Sequence, residues 1–264
     1  MMDVATKEGK YIYCIIDSDR QQSFGPLGIG GRGDELHTIC FNGIAALVSD
    51  APRVKDAPLG KYRVSRDNSL THEKAIEIVM AEHTVLPVRF ATVAEDEEKV
   101  MKILEAEYER FRELLNQMKN KTELNLKAMF KEGIIYKDIL EKYEDIRVLK
   151  EKIADLPPER THLQRMKIGE MVEAALHWEK QIIEEDILNI LSPLAVEVKT
   201  NNPYGELMII NAAFVVEKEK EKEAEFDHQV QELSNKYGEK VNFKFVGTLP
   251  PFNFVNLVIE TGKY

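Results

Sequence analysis

The side chains able to do chemistry are few and scattered. His72-Glu73 begins like the zinc-protease pattern H-E-x-x-H, whose second histidine must fall one helical turn later to share the metal. Position 76 is Ile76, so that site is missing. His83 lies three helical turns beyond His72, about 16 Å along a helix and too far for shared ligation. His37, His162, His177 and His228 are isolated, and a packed or surface role is the default for each. Gly28-Ile29-Gly30-Gly31-Arg32-Gly33 fits G-x-G-x-x-G, the spacing that lets a backbone approach a pyrophosphate at a helix N-terminus. Here the glycines run into the strand-like DELHTICF instead of a helix, so a flexible loop is expected. Arg32-Gly33-Asp34 is read as chance. There is no nucleophile elbow, P-loop or C-x-x-C, and pairs such as Glu98 with Lys102 belong to ordinary solvated helix faces. The expectation is therefore no catalytic residue, no cofactor and no metal.

Two apolar segments remain. In Gly247-Thr248-Leu249-Pro250-Pro251-Phe252-Asn253-Phe254 the prolines force extended backbone just before two aromatics. Phe252 and Phe254 are either plugs of a core or anchors of an interface, since aromatics serve both. Arg89, inside VLPVRF, is either a buried ion-pair partner or the polar element of a binding face, and strand alternation favours the former. Pro250, Pro251, Phe252, Phe254 and Arg89 are the candidate partner-binding residues.

The elements that would carry these groups follow from periodicity. Lys10 to Asp17 reads as a strand, then a polar, Gly-rich loop from Ser18 to Asp34. Asn42-Gly43 joins Leu36–Phe41 to Ile44–Ser49 as a hairpin. Asp50 to Arg66, with Pro52, Pro58 and Gly60, reads as a loop. A helix over Asn68–Glu82 precedes a strand over Val85–Val93, whose Pro87 requires an edge or a bulge. Asp96 opens a second helix carrying Val100, Leu104, Tyr108, Phe111 and Leu115, and Thr122–Phe130 alternates as a strand. From Ile135 to Ile153 the apolar spacing is that of a coiled-coil seam. Pro157-Pro158 then turns the chain into a second long helix that ends at Ser192-Pro193. The rest returns to LAVEVK, LMIINAAFVVE, a charged helix over Glu217–Tyr237, VNFKFVG and FVNLVIE. The fold class is α+β: two ferredoxin-like units with a long antiparallel helical hairpin between them. The boundaries expected are 1–130 for the first domain and 131–264 for the second, divided into the hairpin (131–191) and a small α+β unit (192–264).

Composition bounds the rest. The 264 residues include 44% hydrophobic side chains, enough for a core, and a net charge of −10 that argues against general nucleic-acid binding. No run approaches a membrane span, and MMDVATKEGK lacks the apolar region of a secretory signal. With Cys14 and Cys40 too sparse for a disulfide framework, a reduced cytoplasmic protein is expected.

Taken in order, Tyr11-Ile-Tyr, the GIGG loop, IAALVS, HEKAIEIVM, VLPVRFATV, ELNLK, LMIINAAFVV and GTLPPFNFV resemble the gas vesicle protein F/L family (GvpF/GvpL) over nearly the whole chain. The chain departs from that pattern in reading FAT where Gly often follows the Phe, and LPPFNF where an aromatic often precedes the prolines and a Tyr follows. The resemblance implies an accessory or minor structural protein of gas vesicles. It also implies two ferredoxin-like domains with a coiled-coil portion, a place at the gas vesicle within the cytoplasm, and contact with the small hydrophobic shell protein (GvpA) and other accessory proteins during nucleation or assembly. Two other readings stand beside it. One is a ligand- or metal-binding enzyme with a pocket between the two domains, using His72, Glu73 and Arg89. The other is a coiled-coil scaffold in which residues 134–191 drive self-association.

Overall fold

The computed structural model describes residues 8–51 and 65–263. Most of the loop expected between Asp50 and Arg66 lies outside these residues. The chain divides into two compact units, Met1–Glu123 with Thr248–Tyr264, and Leu124–Gly247.

In the first unit, β1 (Gly9–Ile16), β2 (His37–Phe41) and β3 (Ile44–Ala51) form an antiparallel sheet. Asn42 and Gly43 turn the β2–β3 hairpin with φ of 46° and 83°, which is why an Asn-Gly pair stands there. The helix α1 (Arg66–Met80) is capped by Ser65, whose hydroxyl accepts from the Asn68 N–H at 3.2 Å. It buries His72, Ala75, Ile76 and Val79, the i, i+3, i+4, i+7 stripe of an amphipathic helix. The single strand expected over Val85–Val93 is instead two short ones, β4 (Val85–Pro87) and β5 (Val93–Ala94), both antiparallel to β1. Pro87 lacks a ladder donor and ends β4, the last strand in the order β2-β3-β1-β4. The second helix is likewise two, α2 (Glu97–Ala106) and α3 (Tyr108–Met118). Glu107 kinks the backbone, yet the Glu107 N–H still reaches the Ile103 carbonyl and the Phe111 N–H the Glu107 carbonyl, so the apolar phase survives.

The second unit begins in β6 (Lys121–Phe130) and continues through α4 (Glu132–Lys142), α5 (Glu144–Ile153) and α6 (His162–Leu191). It then runs through β7 (Glu197–Thr200), β8 (Met208–Glu217), α7 (Lys220–Tyr237) and β9 (Val241–Leu249). Its sheet order is β7-β8-β6-β9, which for a β-α-β-β-α-β chain is the ferredoxin-like order. Two boundaries therefore differ from the expectation. The strand at 121–130, placed at the end of the first domain, is the first strand of the second sheet, and the helical region after it is that unit's first crossover. The tail from Thr248 returns to the first unit, and FVNLVIE forms no regular strand there. The helical hairpin also differs in detail. Its first arm is broken at Tyr143, whose φ of −103° and ψ of 95° are extended, so α4 and α5 pack on α6 as separate helices.

The second core joins Leu126, Ala128 and Phe130 of β6 to Ile135 and Ile139 of α4, Ile183 and Ile187 of α6, and Phe214 and Phe226. One charged group is buried among them. Glu179 on α6 accepts from Lys142, from the Tyr143 hydroxyl at 3.0 Å and from Lys240 at 3.0 Å. Burial alone would push this carboxyl up, but the Lys142, Lys240 and Tyr143 hydrogen bonds together outweigh it and hold it below the usual range.

Candidate functional site

The segments singled out in the sequence meet in the first unit. Tyr11 and Tyr13 stand on β1 beneath α1, with ring centroids 4.7 Å apart. The Tyr13 ring stacks on His72, while Tyr11 and Phe90 meet the imidazole edge-on. The Tyr11 hydroxyl lies 3.0 Å from His72 Nδ1 and accepts from the Ala91 N–H at 3.0 Å. The His72 ring also meets the backbone of Val88. Burial pushes His72 down to about 4, against the opposing pull of that backbone bond, so the ring is neutral near pH 7.

The Tyr11–Ala91 bond sets the path of VLPVRFATV. After Pro87 the chain turns, with the Thr92 hydroxyl donating to the Arg89 carbonyl at 2.7 Å. Ala91 sits at φ 68°, a left-handed conformation unfavourable to a residue with a Cβ by about 1–2 kcal/mol. This is the position where the resembling family often carries Gly. The substitution matters through backbone angle, whereas side-chain size is nearly irrelevant at this exposed site.

The tail closes the other side. Pro250 and Pro251 are buried, and the Phe252 and Val255 N–H groups turn back onto their carbonyls at 2.7 and 2.8 Å. Asn253 clamps the fully buried Glu123, donating from its backbone N–H at 2.8 Å and from Nδ2 at 2.6 Å. Val88 and Leu257 form a parallel bridge, and the Arg89 N–H donates to the Leu257 carbonyl at 3.0 Å.

Between α1, the Val88–Phe90 turn and the tail lies a cavity of about 290 Å³. Phe90, Phe252, Val255 and Leu257 give it an apolar lining, with Ser69, Glu73, Arg89 and Asn256 as polar groups. Partial burial, with the neighbouring Glu77 charge, raises the Glu73 carboxyl above its ordinary range. Arg89 is exposed and, among the described residues, has no acid within ion-pair distance. The buried ion pair favoured by strand alternation is thus replaced by a free cation, because the strand ends at Pro87 before its alternation reaches Arg89. Of the expected site residues, Arg89 and Phe252 share this cavity. Half-buried Phe254 is not part of its lining, and the two prolines lie buried behind the turn. His72, Glu73 and Arg89 do converge on one cavity, but its walls come wholly from the first unit.

Other expectations resolve locally. The Gly-rich segment closes on itself, with the Gly28 N–H on the Asp34 carbonyl at 2.8 Å, and a Cβ on Gly28 would lie 2.7 Å from Asp34. Ile29 plugs the core and its N–H donates to the Tyr13 hydroxyl at 2.7 Å, so this is a packed loop where a flexible one was expected. His83 bonds Gln22, and no group of three or more His, Cys, Asp or Glu able to hold a metal occurs among the described residues. Burial pushes the Cys14 thiol up, and neither Cys14 nor Cys40 is in a disulfide. The Glu123–Asn253 clamp was missed by sequence reasoning. Its only signal was that ELNLK and PPFNF, each carrying one partner, both stood out as motifs.

The comparison that decides the family is the match of residues 9–256 to the model described as gas vesicle synthesis protein GvpL/GvpF. The chain belongs to the GvpL/GvpF family. The match takes in β1, the Gly-rich loop, the Val88–Phe90 turn and the tail through Asn256. Among relatives, gas vesicle protein F of Dolichospermum flosaquae is 28% identical over 201 residues, covering 75% of this chain and 80% of that protein. The crystal structure of GvpF from Anabaena superposes with a TM-score of 0.77 at 26% identity, covering 95% of this chain and 99% of that one. GvpF from Microcystis aeruginosa gives 0.73 at 25% identity, covering 95% and 100%. The fold is that of these structures, and the chain is a gas-vesicle-related protein. No helix among the described residues is long and apolar enough to cross a membrane.

Proposed function

We propose that this chain is an accessory protein of gas vesicles that holds an apolar segment of the small hydrophobic shell protein during nucleation or assembly. The observation that carries this reading is the cavity, where VLPVRF and PPFNF, the most family-specific segments, meet over an apolar lining with Arg89 unpaired at hand. A shell subunit apolar enough to face gas would aggregate in water, and a soluble acidic partner that covers such a segment would keep it in solution. Binding by added main-chain hydrogen bonds at Val88–Arg89 is disfavoured, because Leu257 already takes that edge. Recognition then rests on side chains, with Phe252 as the apolar anchor and Arg89 receiving a carboxylate or carbonyl.

Co-expression with the shell protein followed by size-exclusion chromatography tests this. The intact chain is expected to bring the shell protein through in soluble form. Phe252→Ala with Arg89→Ala, checked for folding by circular dichroism, is expected to lose it. An unchanged complex with the double variant would overturn the placement. A second reading, a small-molecule ligand, is favoured by a cavity volume at the lower edge of ordinary ligand pockets. It requires a saturable thermal shift that the same variant abolishes.

A further inference from the structure

We propose that the outer face of α6 is a self-pairing surface, on which a second copy of this chain lies antiparallel about a two-fold axis near Ala174. The helix turns Ala175, Leu176, Ile183 and Ile187 into its own core. On the opposite side it leaves Leu163, Met166, Trp178 and Ile182 exposed at 76%, 53%, 58% and 42%, with Ala174 exposed between them. Single exposed apolar residues need no explanation, but five at spacings of three, eight, four and four make a stripe about 28 Å long.

Charge selects the occupant. Residues 162–169 hold the cations Arg165 and Lys167 and no acid, while residues 181–191 hold Glu184, Glu185 and Asp186 and no cation. That order opposes the helix dipole, which favours acids at the N-terminus and cations at the C-terminus. Asp186 is paired with Lys236 in its own unit, but Lys167, Glu184 and Glu185 have no opposite charge within ion-pair distance among the described residues. Partial burial and the charge of Glu185 raise the Glu184 carboxyl against a smaller opposing pull from His177 on the same helix. A second helix running antiparallel supplies both missing signs and cancels both dipoles. A two-fold axis at Ala174 sets Met166 against Ile182 of the second copy, and Lys167 within one turn of its Glu185. The small Ala174 lets the helices approach where they cross, and symmetry repeats each contact twice.

A single helix pair of this length buries roughly 600 Å², below the usual ~1,200 Å² of a stable complex, so the pairing depends on concentration, with a dissociation constant of roughly 10–500 µM. Sedimentation of the full chain over that range, with emission of Trp178, the protein's one tryptophan, as a second readout, is expected to show a monomer–dimer equilibrium with a blue shift. Met166→Glu, at an exposed position that does not hold the core, is expected to weaken pairing about tenfold or more. Lys167→Glu alone is expected to weaken it about two- to fivefold, and adding Glu185→Lys is expected to restore it. A monomer throughout would overturn the proposal, as would pairing indifferent to these substitutions. Trp178 emission that moves only on adding shell protein would overturn it too, and would assign the face to that protein.

Discussion

Beneath α1 the first unit joins Tyr11, Tyr13 and His72 as neutral groups by hydrogen bonds, and its buried Glu123 is met by the neutral Asn253, whereas the second buries Glu179 as an anion held by Lys142, Lys240 and Tyr143. Both sheets follow the same strand order. Their buried polar groups nevertheless answer to different physics. A neutral network needs only fixed donors and acceptors, so each hydroxyl can serve two elements: Tyr13 ties Ser49 of β3 to Ile29 of the loop. Glu179 is offset by charge, and its cations come from opposite ends of the unit's sequence, one at the close of α4 and one just before β9. The first arrangement specifies a loop and a turn beside the cavity. The second pins the helical crossover to the sheet.

Removing the buried anion costs the most. Glu179→Ala leaves two lysines facing each other across a core position and is expected to cost about 2–3 kcal/mol, read by chemical denaturation. Lys142→Ala is expected to cost far less, because its ammonium is half in water. Acid separates the units next. The folded pKa of His72 lies below its unfolded value, so its contribution is complete above about 6.5 and is lost as pH falls toward about 4, by up to about 3 kcal/mol. Glu179 is also depressed, so its contribution is complete above the ordinary carboxylate range and is lost only as pH falls below it. Tryptophan emission reports the second unit, and the His72 ring resonances report the first. The first is expected to loosen at the higher pH, and a single transition in both would show that the two units unfold together. The smallest effect is a gain. Ala91→Gly relieves the left-handed strain at the turn and, after the entropy glycine adds to the unfolded chain, is expected to stabilise by about 0.5–1 kcal/mol in thermal melts.

Much of this was legible in the sequence where local physics decides. KYIYCIID reads as a strand, Asn42-Gly43 as a hairpin turn and the segment between Pro158 and Ser192 as a long helix, because periodicity and positive φ are set by neighbours. What escaped was decided at long range. The apolar spacing from Ile135 to Ile153 runs straight through Tyr143, and the helix breaks there as its hydroxyl reaches Glu179, 36 residues away. The strand 121–130 alternates correctly in either sheet, so periodicity could not say which one it joins. Arg89 and Phe252 were picked out as candidates, but the cavity joining them depends on a clamp between Glu123 and Asn253, 130 residues apart. No local pattern encodes such a pairing.

That clamp has a consequence for how the chain is made. Glu123 leaves the ribosome long before Asn253, and residues 124–247, a whole folding unit, are synthesised in between. At typical translation rates the wait is on the order of ten seconds. Throughout it, the Glu123 side chain destined for full burial stays solvated, and Val88 and Arg89 lack their Leu257 partner. The nascent first unit therefore waits for a segment made after the whole second unit, and a ribosome stalled before Thr248 would display it without that segment.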